Sequence, residues 1–165
     1  MSPASSSKHP GELKLGTTLR WLLGVVLLWA ALGKLANMQD FYAALLGYQL
    51  PLPSVLLKVT AVVLPWLELL CGLMLLANVR TTAALAWSVV LFAIFALCTG
   101  QAWWRGLHIA CGCLDLRLLG IAHDSALGVW MESAKFAFIR AVVLLGLAGC
   151  ALRKQSCASA RDSVA

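Results

Sequence analysis

Two cysteines separated by one glycine, Cys111 and Cys113 in the stretch WWRGLHIACGCLD, are the residues best suited to chemistry in this chain. Thiol–disulfide exchange needs an accessible thiolate and a second thiol that resolves the mixed disulfide, and the pair supplies both. Arg105 and His108 lie close in sequence, where positive charge stabilises a thiolate. So short a ring makes a strained disulfide, which tends to be oxidising. The pattern predicts a redox pair with Arg105 and His108 as thiolate modulators.

Metal binding is the alternative use of these cysteines, with His108 and His123 as further ligands. Zinc sites generally have wider cysteine spacing and two paired elements. A single Cys-Gly-Cys pair lacks both features. We therefore predict no metal site.

Glu68 is the second candidate, because it lies near the middle of an apolar run, in LPWLELLCG. An ionised carboxylate is costly there, so an acidic residue indicates function by default. Pro65 frees a backbone carbonyl and is expected to kink the helix. Alternatively, Glu68 is uncharged or paired with a basic residue such as Arg140 and locks the bundle. A proton or quinone role requires the pair to face a cavity. The residues firmly imply no cofactor, and quinone is the one they suggest.

The surrounding residues are those of a membrane protein. Of the 165 residues, 61% are hydrophobic and 12% are charged, against about 45–50% and about 25% in soluble proteins. Apolar runs of about 20 residues can cross the hydrocarbon core as helices. We predict an all-α integral membrane bundle of four antiparallel helices between two polar tails. The boundaries are a disordered tail at 1–14, a membrane domain at 15–152 with spans at about 15–35, 59–79, 81–104 and 134–152, and a tail at 153–165.

The segment after the first span has an amphipathic pattern. Phe41, Leu45 and Tyr48 recur at helical spacing and predict an interfacial helix on the outer surface. Arg20 and Lys34 are expected to snorkel at opposite ends of the first span. Three glycines are predicted to let neighbouring helices approach closely: Gly24, Gly72 and Gly146.

The distribution of lysine and arginine predicts the orientation. The tails and the turn after the second span carry more basic residues than the two opposite loops, which favours cytoplasmic termini. The cysteine pair then faces the periplasm of a bacterial inner membrane, where thiols form disulfides. The first run is interpreted as a permanent span rather than a cleaved signal peptide. The basic residues form no patch, so nucleic acid is excluded as a partner. The two sets are Lys8, Lys14, Arg20, Arg80, Arg153, Lys154 and Arg161 against Lys34, Lys58, Arg105, Arg117 and Lys135.

The remaining cysteines differ in depth. Cys98 lies near the outer end of the third span and is predicted to be the only further cysteine able to reach the pair. Cys71 and Cys150 are interpreted as small buried apolar residues. Cys157 lies in the predicted cytoplasmic tail, away from the pair.

Three stretches together resemble the methylamine-utilisation MauE family, part of the wider DoxX-like group of four-helix membrane proteins. They are GKLANMQDFYAAL after the first span, LPWLELLCGLMLL in the second, and RGLHIACGCLD after the third, and the similarity covers about residues 18–150. Cys111 and Cys113 match the cysteine pair of the family, and Glu68 and Lys34 match its recurrent polar positions.

The resemblance implies a role in maturation of the periplasmic methylamine dehydrogenase, whose small subunit is rich in disulfides and carries a tryptophan-derived quinone cofactor. Relatives also occur outside methylamine operons, often beside thioredoxin-like proteins, which implies a general redox-associated membrane role. In the redox function, electrons pass onward from the cysteines to a thioredoxin-like protein or a quinone. The family pattern commonly continues Cys-Gly-Cys-Phe-Gly, whereas Leu114 and Asp115 follow here. The alternative function is a non-catalytic membrane scaffold or transporter subunit with a structural cysteine pair.

Overall fold

Five α-helices make up the part of the chain that the computed structural model describes, residues 10–106 and 133–162. Four are long and apolar enough to cross a membrane, and no strand occurs within the described residues. This architecture confirms the predicted all-α bundle with four spans. The helices are α1 (Pro10–Ala36), α2 (Met38–Gly47), α3 (Ser54–Ala77), α4 (Thr81–Trp104) and α5 (Ala134–Asp162).

Helix α4 has its predicted bounds, whereas the other spanning helices are longer than their apolar runs. Helix α3 begins at Ser54 rather than near 59, directly after Pro53, whose backbone is extended (φ −62°, ψ 145°). Lys58 interrupts the apolar run but not the helix, because lysine is a good helix former. Helix α1 begins at Pro10 and α5 continues to Asp162, so both enter residues predicted as tails. Arginine, lysine, glutamine and alanine after position 152 favour that extension.

The four spanning helices pack as a ring: α1 contacts α3, α3 contacts α4, α4 contacts α5, and α5 contacts α1. The largest buried cluster takes side chains from all four helices, including Leu27, Leu75, Leu85 and Ala148. Most of these residues lie towards the end of the bundle where residues 78–80 join α3 to α4. At that end Arg20 donates a hydrogen bond to the Asn78 side chain.

Helices α1 and α3 approach most closely where Gly24 faces Gly72. A Cβ atom added at Gly72 would lie 2.9 Å from Leu28 Cγ and 3.0 Å from the carbonyl oxygen of Gly24. A Cβ atom at Gly24 would lie 2.9 Å from Leu76 Cδ2. These contacts confirm the predicted role of both glycines. The same prediction is wrong for Gly146 in the described part of the chain, where no atom lies within 4 Å of a Cβ added there.

A break after α1 produces the short helix α2. Asn37 leaves the helical conformation (φ −126°, ψ 59°), and the chain then folds α2 against α3. Phe41 and Leu45 form a buried cluster with Ala61 of α3, and Tyr48 is buried at the ends of α4 and α5. The predicted helix is confirmed, but its apolar stripe packs on the bundle instead of lying on the bilayer surface. On α3 the cluster takes in Ala61 and the partly buried Leu64.

Candidate functional site

A buried ion pair joins α1 to α3. The Lys34 ammonium Nζ lies 2.6 Å from Oε1 and 2.7 Å from Oε2 of Glu68, and donates a hydrogen bond to each oxygen. The side chains are only 1% and 2% exposed. The sequence interpretation of Glu68 as one half of a buried pair is therefore correct, but the suggested partner, Arg140, is wrong. The expectation that Lys34 snorkels to the surface is also wrong.

The register of α1 against α3 explains why Lys34 is inside the bundle. Gly24 of α1 lies against Leu76 of α3, and Leu28 lies against Gly72. The same antiparallel register brings Lys34 beside Glu68. Glu68 lies about 21 Å from the start of α3 and about 14 Å from its end, at about 1.5 Å per residue. The ion pair is therefore well inside the membrane-spanning region. Helix α3 continues through the buried Pro65 without ending there.

Aromatic rings from two further helices surround the lysine. The Nζ atom lies 4.3 Å from the ring centroid of Phe95 in α4 and 5.3 Å from that of Phe41 in α2. An ammonium over a ring face is attracted by the quadrupole of the ring, most strongly where water is excluded. Four helices thus contribute to one charged cluster, which fixes their relative positions.

A cavity of about 310 Å³ lies beside the ion pair, between α1, α4 and α5. Its volume is at the lower end of the range for small-molecule sites. Val25, which lines it, is 53% exposed, so the cavity adjoins the outer face of the bundle. Most of the wall is aliphatic or aromatic. The lining residues are Val25, Val26, Leu27, Trp29, Ala30, Lys34, Glu68, Phe92, Phe95, Thr99, Ala137, Arg140, Ala141 and Leu144.

Two side chains of the cavity wall contain nitrogen atoms without hydrogen-bond partners. Trp29 Nε1 and Arg140 Nη1 are both buried, and neither finds an acceptor among the residues that the structure describes. Buried donors are normally satisfied, so each such atom needs an explanation. The Thr99 hydroxyl is satisfied, because it donates a hydrogen bond of 2.7 Å to the carbonyl oxygen of Phe95.

The predicted redox residues fall on both sides of the boundary of the described chain. Cys111, Cys113 and His108 lie outside the described residues, as does His123 of the metal alternative. Arg105 is exposed at the end of α4, and its guanidinium donates hydrogen bonds to Gln49, at 3.2 Å to the side-chain oxygen and 3.4 Å to the backbone oxygen. Within residues 10–106 and 133–162, no cluster of three His, Cys, Asp or Glu side chains could hold a metal ion.

The other described cysteines occupy different environments. Cys71 is buried in the main core, as predicted. Cys150 is exposed on α5, so its interpretation as a buried residue is wrong. Cys98 is partly buried and packs against the cluster of Tyr48, Ala102 and Ala134, at the end of the bundle where α4 finishes. The prediction that Cys98 can reach the pair stays a prediction.

Lys34 is the site residue that sequence reasoning placed wrongly, although a signal existed. The described spanning helices carry few charges, and Lys34 and Glu68 have opposite signs. Opposite charges in neighbouring spans pair with each other, because an unpaired charge is costly in hydrocarbon. Choosing between Lys34 and Arg140 required the register of α1 against α3, which the sequence pattern did not reveal.

Comparisons with known proteins agree with one another. The family model described as methylamine utilisation protein MauE matches residues 12–154. The chain is 36% identical over 145 aligned positions to the methylamine utilization protein MauE of Methylophilus methylotrophus, an alignment that covers 74% of this chain and 76% of that protein. No solved structure matches the chain. The resemblance predicted from the sequence is confirmed, and the chain belongs to the MauE family of methylamine utilisation proteins.

Proposed function

We propose that this protein is an inner-membrane factor that exchanges thiols and disulfides with a periplasmic partner during maturation of methylamine dehydrogenase. The chain belongs to a family of methylamine utilisation proteins, and four of its described helices are long and apolar enough to span a membrane. The client with the matching chemistry is the disulfide-rich small subunit of the dehydrogenase. A thioredoxin-like protein is the proposed onward partner.

The observation that carries the proposal is the position of the chain ends that flank the cysteine pair. Helix α4 ends at Trp104 and α5 begins at Ala134, so the connection between them leaves from the end of the bundle opposite the turn at 78–80. Cys111 follows Gly106 by five residues, which allows a distance of at most about 18 Å from it in a fully extended chain. A pair tethered so close to the membrane surface suits exchange with a partner in the adjoining compartment.

The burial of Lys34 supports the proposed orientation. Lysine and arginine in short loops set the topology, and a lysine paired inside the bundle does not count as a loop charge. Removing Lys34 from the outer set leaves four basic residues against seven on the side of the termini. The corrected count strengthens the case for cytoplasmic termini and a periplasmic Cys111–Cys113 connection.

The proposed chemistry is two successive thiol–disulfide exchanges. A thiolate of a client dithiol attacks the Cys111–Cys113 disulfide, forms a mixed disulfide and displaces the other cysteine as a thiolate. The second client thiolate then attacks the mixed disulfide, so the client gains a disulfide and both cysteines leave as thiols. Two electrons have passed from the client to the pair. The disulfide of a thioredoxin-like protein takes them up in the reverse exchange and restores the pair.

A second function, a non-catalytic scaffold or transporter subunit, is favoured by the Lys34–Glu68 pair. That pair locks α1 against α3 at 2.6 Å and needs no chemistry to be useful. In this case the cysteine pair staples its own loop and stays oxidised.

The experiment is differential alkylation of intact, outward-accessible membrane vesicles across a series of thiol buffers. We expect Cys111 and Cys113 to titrate together and reversibly from the outer face, at about −200 to −120 mV. The Cys111→Ser and Cys113→Ser variants have no disulfide for a client thiolate to attack, so each should leave the client dithiol reduced, whereas Cys150→Ser, on the exposed face of α5, should behave as wild type. A pair that stays oxidised, or that is labelled only from the cytoplasmic side, contradicts the proposal.

A further inference from the structure

A quinone role requires the buried ion pair to face a cavity, and Lys34 and Glu68 both line the cavity beside them. It lies inside the membrane-spanning region and adjoins the outer face of the bundle at Val25. A molecule dissolved in the bilayer can therefore reach it without crossing water. The ligand must be largely apolar, since the wall is mostly aliphatic and aromatic.

The polar groups of the wall select a hydrogen-bond acceptor. Trp29 Nε1 and Arg140 Nη1 are buried donors without partners in the described part of the chain. The lysine ammonium already bonds both oxygens of Glu68, and the Thr99 hydroxyl already donates to Phe95. Indole and guanidinium groups have N–H donors and no acceptor. A ligand oxygen that accepts hydrogen bonds would satisfy either unpartnered nitrogen.

We propose that this cavity binds the head group of a membrane-soluble quinone, with a carbonyl oxygen accepting from Arg140 or Trp29 and the ring lying among Trp29, Phe92 and Phe95. Three aromatic side chains in the wall suit a flat unsaturated ring, because aromatic groups pack favourably in offset or edge-to-face arrangements. The wall contains two cationic side chains, Lys34 and Arg140, against the one Glu68 carboxylate, so charge alone also admits an anion. The aromatic rings and the uncharged donor of Trp29 are what favour a neutral carbonyl.

This inference deepens the proposed function. The redox role of the quinone rests on that function, whereas quinone binding does not depend on it. Oxidation of the Cys111–Cys113 dithiol to a disulfide releases two electrons and two protons, which is what reduction of one quinone to its quinol takes up. The quinone then replaces the thioredoxin-like protein as the electron acceptor. Binding can be measured without any cysteine, so the two proposals can fail separately.

The test is a binding titration of the full chain in lipid nanodiscs with decylubiquinone, followed by tryptophan fluorescence quenching. Arg140→Met keeps an unbranched side chain and removes the donors, so affinity should fall at least about tenfold, the usual loss for a hydrogen bond from a charged donor. Lys135→Met is the matched control, because it removes an exposed positive charge from the same helix outside the cavity. Ala141→Leu, which fills the cavity, should weaken binding, and Val143→Leu on the exposed face should not.

The quinone site is supported if Arg140→Met and Ala141→Leu lose binding while both controls keep it. A Cys111→Ser, Cys113→Ser double variant should also keep binding. Circular dichroism of each variant checks that the helices persist. Quenching that is equal in all variants reflects partition into lipid and overturns the proposal. Binding of oleate in place of decylubiquinone overturns it in favour of an anionic lipid. If Arg140 pairs with an acidic residue in 107–132 instead, Arg140→Met will be less stable than wild type, and wild type will bind no quinone. That result also overturns the proposal.

Discussion

The two halves of the bundle are built on different principles. The half towards the 78–80 turn, here called the packed half, has Gly24 against Gly72 and a cluster of buried, mostly aliphatic side chains from all four spanning helices. Leu27 and Phe92 of this cluster lie at the boundary and also line the cavity. The other half, the charged half, contains the Lys34–Glu68 pair, the unpartnered Arg140 nitrogen and the 310 Å³ cavity. Close contact between helices holds the packed half together, whereas the charged half contains an ion pair and a cavity within the membrane-spanning region.

The comparison indicates where function resides. Burying an ion pair costs several kcal/mol of desolvation per ion, and apolar side chains of similar volume often serve stability equally well or better. The packed half shows that this chain can build a close-packed interface from small and aliphatic residues. Because the charged half departs from that solution, we infer that its charges and cavity serve a purpose other than stability.

Breaking the ion pair from one side should have the largest effect. Lys34→Met leaves the Glu68 carboxylate buried without its partner and should lower the free energy of unfolding by about 3–5 kcal/mol. Reversible unfolding in mixed detergent micelles measures the loss. Lys58→Met, which removes an exposed lysine from α3, should stay within about 0.5 kcal/mol of wild type.

Replacing both partners sharpens the same comparison. Lys34→Met combined with Glu68→Leu removes both charges, so the double variant should recover most of the stability that Lys34→Met alone loses. Recovery would show that the charges are retained for function. A double variant as unstable as the single one would mean that the pair itself carries the stability of this half, and the two halves would then differ less than we infer.

Disturbing the packed half should have a smaller but clear effect. Gly72→Val forces atoms into a space where Leu28 Cγ and the Gly24 carbonyl lie 2.9 and 3.0 Å from the new Cβ. Overpacking of this kind should cost about 1–3 kcal/mol, measured in the same micelle assay. Gly146→Ala is the control, because its site is open and alanine stabilises a helix interior by about 0.5–1 kcal/mol relative to glycine. Equal losses in both variants would contradict the close approach of α1 and α3.

The sequence predicted the packed half better than the charged half. Span positions follow from long apolar runs, and small residues at Gly24 and Gly72 indicate close helix crossings. These features depend on local composition. Glu68 was also identified, because an acidic residue in an apolar run is conspicuous whatever its surroundings.

The identity of the partner of Glu68 could not be predicted, because it depends on the register in which α1 packs against α3. The apolar pattern places Lys34 at the end of the first span, where snorkelling is the usual outcome. Periodicity likewise predicted α2 but not its burial, since the apolar stripe of Phe41, Leu45 and Tyr48 suits a lipid surface and a protein surface equally. The decisive information was the tertiary contact of the stripe with Ala61 of α3 and with the ends of α4 and α5.

The smallest effect is expected at the rim of the charged half. Arg105 is exposed and bonds only to Gln49 among the described residues, so Arg105→Gln should change stability by less than about 0.5 kcal/mol. If Arg105 modulates the cysteine pair, the alkylation rate of Cys111 and Cys113 should fall by about threefold, because an exposed charge acts through screened electrostatics. Arg105→Lys should retain the rate. In about 1 M salt, where the Debye length is only about 3 Å, the difference in alkylation rate between wild type and Arg105→Gln should disappear. A difference that persists would mean that Arg105 acts by holding the end of α4 to Gln49.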